Sequence, residues 1–294
     1  MERKKRGKKA GNMPLPFTPA PPISMGLRAG HCPGWPGGAD PIGIEGLAEY
    51  QLAEKARLLD TCSDQIFALR PPVLAAAREA ADFISAALNH PAPLATDSDG
   101  KAVFLAACQL IPEDVLLLLP AASKTDTDWY LQGGLLAFPG HWQLGEKMGK
   151  TLAELHSPVP EFAQRLARPV NRFFTGMQEA SPSWRQNWSL QTDDRLYAPH
   201  REAKRLEKLS PALAGHSVFV RIETQHFYKL PTSGAVMFFI RTSLAPLDFW
   251  QDNISPIAGL AAHLRQLSPA MTAYKGLGGM LPALEGWLKK QMDK

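Results

Sequence analysis

The feature that most constrains this chain is a pair of alternating segments, residues 218–228 and 235–242, separated by Leu230-Pro231-Thr232-Ser233-Gly234. Alternation with period two belongs to strands whose two faces differ chemically, and a short Pro- and Gly-containing link between two such runs predicts an antiparallel hairpin. A lone hairpin is only marginally stable, so further strands and a covering layer are required. Stretches 129–138 and 184–190 read as those strands, and residues 103–119 hold two apolar runs broken by Pro112, one of them a strand or short helix.

Helical spacing marks the cover. Leu47, Leu52, Leu58 and Leu59 recur on one stripe over 47–59, with Glu45, Glu49 and Glu54 ahead of Lys55 and Arg57, the order that suits the helix dipole. Further helices are predicted at 72–88, 161–177, 256–267 and 281–291. Another is predicted at 145–156, where Met148, Leu152 and Leu155 fall at i, i+4 and i+7 before Pro158 and Pro160. Asp97-Ser98-Asp99-Gly100 is turn chemistry. Helices followed by three successive strands predict an α+β domain with an antiparallel sheet covered by helices on one face. No repeat or internal boundary is visible across 25–294.

Composition excludes several classes. With 45% hydrophobic and 20% charged residues, most of the 294-residue chain is globular. The longest apolar run, residues 115–119, is far short of the ~20 residues of a membrane span. Arg3, Lys4, Lys5, Arg6, Lys8 and Lys9 are not followed by a signal-type apolar stretch, which predicts a cytoplasmic protein. That run accounts for nearly all of the net charge of +4 and, with five prolines from Pro14 to Pro22, makes residues 1–24 a flexible arm by composition; nucleic-acid binding is not expected. Next, a Gly/Pro loop at 30–38 with Trp35 as its anchor reads as a lid or strap. Cys32, Cys62 and Cys108 form no disulfide framework and no CxxCH, which argues against covalently attached haem; Cys62 and Cys108 read as inert core residues, whereas Cys32 in the Gly/Pro loop is open to exposure.

Two strand rows and three single residues could carry chemistry. In the strand at 218–227, Arg221, Glu223 and Gln225 share the face opposite Val218, Val220 and Ile222. In 184–190, Arg185, Asn187 and Ser189 share one face, and Trp184, Trp188 and Leu190 the other. Such rows either line a polar pocket or form the wet side of a half-exposed sheet. Arginine with an amide partner clamps a carboxylate, a haem propionate or a structural Asp or Glu equally well. His156 lies on an apolar stripe and is either a satisfied core residue or a ligand; His141, in a loop, has a weaker claim, and Cys32 stands below His156 as a thiolate ligand. No GxSxG, HExxH, P-loop, GxGxxG or zinc-spaced histidine pair occurs.

Several ordered blocks carry a resemblance. Phe138-Pro139-Gly140-His141-Trp142, Glu146-Lys147-Met148-Gly149-Lys150, Leu155-His156-Ser157-Pro158-Val159-Pro160 and Trp184-Arg185-Gln186-Asn187-Trp188-Ser189 come first. The Arg221-Ile222-Glu223-Thr224-Gln225 hairpin, Ile240-Arg241-Thr242 and Tyr274-Lys275-Gly276 follow. Together they resemble the haem-dependent oxidative N-demethylase family over roughly residues 25–288. His226 and Ser243 depart from its pattern, where a small polar residue and an aromatic are usual. The resemblance implies a PAS-like antiparallel sheet with extra terminal helices, binding haem b, with His156 as the iron ligand and Arg185, Asn187 and Trp188 as further cofactor-binding residues. Arg221 would face bound oxygen, and Glu223 and Gln225 would bind a small secondary amine such as dimethylamine. FMN, an iron-sulfur cluster, NADPH and tetrahydrofolate would belong to partner subunits, since none of their binding motifs occurs here. The rival readings are a haem-based gas sensor or carrier, and a regulatory subunit that has lost haem.

Overall fold

A computed structural model describes residues 26–32, 34–38, 40–90, 100–123, 126–179, 181–200 and 209–294. The basic arm at 1–24 and the turn at 97–99 lie outside these. Among the described residues seven strands form one sheet: β1 (Arg28–Ala29), β2 (Phe67–Leu69), β3 (Asp114–Pro120), β4 (Trp129–Leu135), β5 (Ser183–Gln191), β6 (Phe219–Lys229) and β7 (Val236–Pro246). Their order is β1-β5-β6-β7-β3-β4-β2, and every pairing is antiparallel. The predicted hairpin is the centre of this sheet, with Lys229 opposite Val236 at its turn. The α+β class read from the sequence is the class observed.

Helices cover both faces rather than one. On the face bearing Val220, Ile222, Trp188 and Phe239, the main core is closed by helices Leu74–Ala87, Ile254–Gln266 and Leu281–Met292 through Ala77, Ile84, Leu260 and Leu284. On the other face, Leu118, Phe227 and Val236 pack against Leu152 and Phe174, from short helices between β4 and β5. Leu116, Ile240 and Leu144 continue that second layer, and Leu155 touches both of its clusters. The second set escaped the expectation because each piece is too short to show a full stripe.

Helix Leu47–Ile66 is longer than the stripe at 47–59 and fills a gap in the sheet. The β3–β7 ladder ends at Asp114 opposite Ile240, so the carbonyl of Thr242 is left without a strand partner on that side. Gln51 Nε2 donates to it at 2.6 Å. One turn on, the fully buried Lys55 donates to the carbonyls of Cys108, Ile111 and Glu113, which uses all three of its ammonium hydrogens.

The predicted helix at 145–156 is broken. Leu144–Lys147 ends at Met148, Gly149 takes φ +76, and a new turn, Leu152–Leu155, starts from Thr151. A left-handed residue is helix-terminating, and glycine adopts it without strain. Thr151 and Glu154 then form a reciprocal capping box. Helix Phe162–Arg165 and helix Ala167–Gly176 likewise replace one expected at 161–177. Helices Pro211–Ser217 and Pro269–Tyr274 were not anticipated. Among the described residues no helix is long and apolar enough to cross a membrane.

Candidate functional site

The register of β5 against β6 sets Arg185 opposite Gln225, Asn187 opposite Glu223 and Ser189 opposite Arg221. Directly opposed residues project to the same side, so both predicted polar rows share one face. Phe227, two residues beyond Gln225, lies on that face and packs in the cluster that holds Leu152. His156, at the C-terminal cap of Leu152–Leu155, is therefore on the same side of the sheet as the rows.

The imidazole of His156 is fixed by two contacts. Nδ1 lies 2.8 Å from the carbonyl oxygen of Leu152, and the ring stacks on Phe162 with centroids 4.5 Å apart and planes within 8°. A carbonyl can only accept, so Nδ1 carries the proton and the lone pair resides on Nε2, which makes no hydrogen bond among the described residues. Burial pushes its pKa below the usual histidine range; the hydrogen bond to Leu152 O opposes this, and the charges of Arg185 and Lys147 add smaller downward pushes. The neutral ring is the ligating form. Among the described residues no three His, Cys, Asp or Glu side chains converge into a metal cluster. A lone imidazole oriented by a carbonyl fits a protein ligand to haem iron, whereas zinc uses three or four protein donors.

Arg221 is brought to the site, yet its guanidinium is consumed by the fold. It is fully buried; Nη1 donates to Leu196 O at 3.1 Å, Nη2 to Phe138 O and to Thr242 Oγ1, and Nε to Glu223 Oε1 at 3.4 Å. Its two carbonyl partners belong to segments that pair with each other. His141 N donates to Ala198 O at 2.7 Å, and Ala198 N to Pro139 O. Asp114 holds the same loop from beneath, accepting from Ala137 N and Phe138 N at 2.8 and 2.9 Å. Gly140 crosses directly over the pair: a β-carbon there would stand 3.1 Å from Glu223 Oε1 and 3.2 Å from Arg221 Nε. Through these contacts Arg221 clamps loop 138–142 onto the sheet.

Glu223 keeps 16% of its side-chain surface, with Arg221 on one oxygen and Gln225 Nε2 donating to the other at 3.1 Å. Arg185 makes no hydrogen bond among the described residues, and its Nε is buried without a partner. Burial lowers its pKa, and the charge of Glu223 opposes that shift.

Trp188 must be moved. It opposes Ile222, is 4% exposed, and lies in the main core on the other face, with Lys275 Nζ 4.3 Å above its ring and bonded to its carbonyl. Alternation had already put it opposite Asn187, so the sheet separates it from the polar rows. The Tyr274-Lys275-Gly276 block therefore serves the core side of β5.

Trp35 also lies on that other face, stacked on His226 at 3.9 Å with His31 nearby, and so does not cover the polar rows. Arg241 ties the strap down through Glu113, which accepts from Gly37 N, and through Gly38 O. Ser243 donates to Asp40 in the same strap. Both departures from the family pattern, His226 and Ser243, thus meet the strap. Cys32 is buried beneath it, and burial pushes its thiol up to about 11. Cys108 is buried, its thiol pushed up to about 12 by burial, while Cys62 is only half-buried. His141 adopts φ +64 in the covering loop.

Sequence reasoning missed Phe162 as the platform for His156 and Asp114 as the anchor of the covering loop. Asp114 had a readable signal, because an acid abutting an apolar run is seldom buried without a structural partner.

A family model described as "HODM_asu-like: Haem-dependent oxidative N-demethylase, alpha subunit-like" matches residues 85–284. The match takes in His156, both polar rows and the central hairpin, and covers more than half of the 294 residues. With an oriented imidazole and a carboxylate held on the same side of the sheet, the chain belongs to the haem-dependent oxidative N-demethylase, alpha subunit-like family.

Proposed function

We propose that this chain is the haem-carrying, oxygen-activating subunit of an oxidative N-demethylase acting on a small secondary amine, dimethylamine being the simplest. The observation that carries the reading is His156, whose Nδ1 is held by Leu152 O while Nε2 is left to a ligand. His156 would hold haem b through Nε2, and Asn187 would contribute to the wall of its pocket. When bound, the haem supplies oxygen chemistry that no amino-acid side chain provides.

The chain's own residues bind and orient the amine. A secondary amine is protonated in water near neutral pH, and Glu223 offers a carboxylate of opposite charge. Arg221 and Gln225 each hold one carboxylate oxygen, so the acceptor direction is set before the amine arrives. Such preorganisation places an N–H and the adjacent methyl group in a fixed pose, the positional contribution that makes a bimolecular step efficient. Gly140 of loop 138–142 lies close against Glu223 Oε1 and covers it from that side. Electrons from NADPH through FMN and an iron-sulfur cluster, and tetrahydrofolate to receive formaldehyde, would come with partner subunits.

The test is amine-dependent oxygen consumption by the haem-loaded chain supplied with a reductase. Glu223→Gln retains the shape but removes the charge; KM for dimethylamine should rise about 10- to 100-fold, the loss of one charge-assisted hydrogen bond. Gas binding without any amine-dependent turnover would identify a sensor or carrier instead.

A further inference from the structure

Among the described residues the buried cations differ in how their donors are used. Lys55 spends all three on carbonyls, Arg221 makes four hydrogen bonds, and Arg241 engages Glu113 and Gly38 O. Arg185, which is half-buried, differs in making no hydrogen bond at all, and its Nε, like that of Arg241, is shut away from solvent with no acceptor. Burying a guanidinium donor unsatisfied is costly, and a planar oxyanion satisfies it best because two parallel hydrogen bonds form together.

Its position narrows the choice. Arg185 opposes Gln225, which makes Glu223 its diagonal neighbour on the same face, and diagonal neighbours start about 7–8 Å apart at the backbone. Long side chains at that spacing readily meet, yet Glu223 hydrogen-bonds to Arg221 and acts on Arg185 only through its charge, so the guanidinium of Arg185 keeps its donors. A fixed carboxylate and a guanidinium with no hydrogen bond thus stand side by side, both on the side of the sheet that carries His156. Dimethylamine would use the first, and its positive charge would be repelled by the second.

We infer that the substrate class is a zwitterionic N-methyl amino acid, such as N-methylglycine, with its ammonium on Glu223 and its carboxylate paired to Arg185. One carbon separates the two groups, a compact span suited to neighbouring side chains. This inference rests on the demethylase reading above and specifies its substrate. The reaction balances as N-methylglycine, dioxygen, two electrons and two protons giving glycine, formaldehyde and water. The methyl C–H is oxidised, one oxygen atom leaves in formaldehyde and the other in water, and a reductase supplies the electrons.

The experiment titrates N-methylglycine and dimethylamine calorimetrically into the haem-loaded chain, and measures kcat/KM for both with a reductase present. N-Methylglycine should be preferred. In Arg185→Gln that preference should fall about 10- to 100-fold, the range for a lost charge-assisted pair, and Arg185→Lys should restore part of it by keeping the charge without the planar fork. Haem content per protein, read from absorbance, should be unchanged in both variants. Preference of the wild type for dimethylamine overturns the inference and leaves the demethylase reading standing. Loss of haem from both Arg185 variants also overturns it, because the carboxylate held would then be a propionate. Failure to oxidise any amine removes the demethylase reading itself.

Discussion

Replacing Arg221 with methionine separates a structural clamp from a group that faces a ligand. The substitution leaves Phe138 O and Leu196 O without their donor, in surroundings where Arg221 is fully buried. Each orphaned buried carbonyl costs about 1–3 kcal/mol. Glu223 also loses its cation, but its 16% exposed side chain is reached by water, so only a fraction of the usual penalty for breaking a buried pair applies. Methionine no longer has a charge to desolvate, which offsets some of the loss. We expect a net destabilisation of about 3–5 kcal/mol, or roughly 10 °C in Tm for a chain of this size. Urea unfolding followed by tryptophan fluorescence measures it, with an unchanged m-value showing that the transition is the same one. If Arg221→Met unfolds within about 1 kcal/mol of the wild type while turnover disappears, the guanidinium serves the chemistry and the assignment as a clamp is mistaken.

Three other outcomes follow from the same contacts. Burial, and then the charge of His31, push the pKa of His226 down to about 3. The unfolded chain takes up this proton near pH 6.5, so stability present above that pH is lost on acidification toward 3, at about 1.4 kcal/mol per unit. His226→Phe keeps the stack on Trp35 and should flatten that slope; identical slopes would show that the ring is hydrated. Asp114 has the opposite sign: burial, partly offset by Lys55, raises it to about 6 from 3.8, so its contribution improves as pH falls from about 6 to 4. Relative to Asp114→Asn, the wild type should gain stability across that interval, and a wild type that loses ground there contradicts the sign. Gly140→Ala intrudes on Glu223 Oε1 and Arg221 Nε at 3.1 and 3.2 Å, so amine KM should rise by about tenfold, with at most about 1 kcal/mol lost in unfolding. An unaltered KM would show that the loop moves aside freely.

The hairpin and the two polar rows were legible because period-two alternation assigns faces directly, and antiparallel register then unites rows from neighbouring strands. What covers a face is not written in alternation. Arg221 lies in the row beside Glu223, but the carbonyls that occupy it come from Phe138 and Leu196, distant in sequence and joined only by the fold. The break in the predicted helix at 145–156 rests on the positive φ of Gly149, where a β-carbon would also strike Arg70. A glycine inside an otherwise regular stripe does not reveal that second fact. Trp188 was legible too, since alternation places it on the face opposite Asn187, and there it lies in the main core. The strap was recognisable from Trp35 and its glycines, but its target, His226, depends on tertiary contacts.

The most direct test of the account is the absorption spectrum of the chain reconstituted with haem, compared with that of His156→Gly. The wild type should show an intense band in the blue that the variant loses or shifts, and added imidazole should restore it by occupying the space next to Phe162. A variant whose spectrum and haem affinity match the wild type without imidazole would contradict the assignment of His156 Nε2 as the ligand, and with it the placement of the amine site on this side of the sheet.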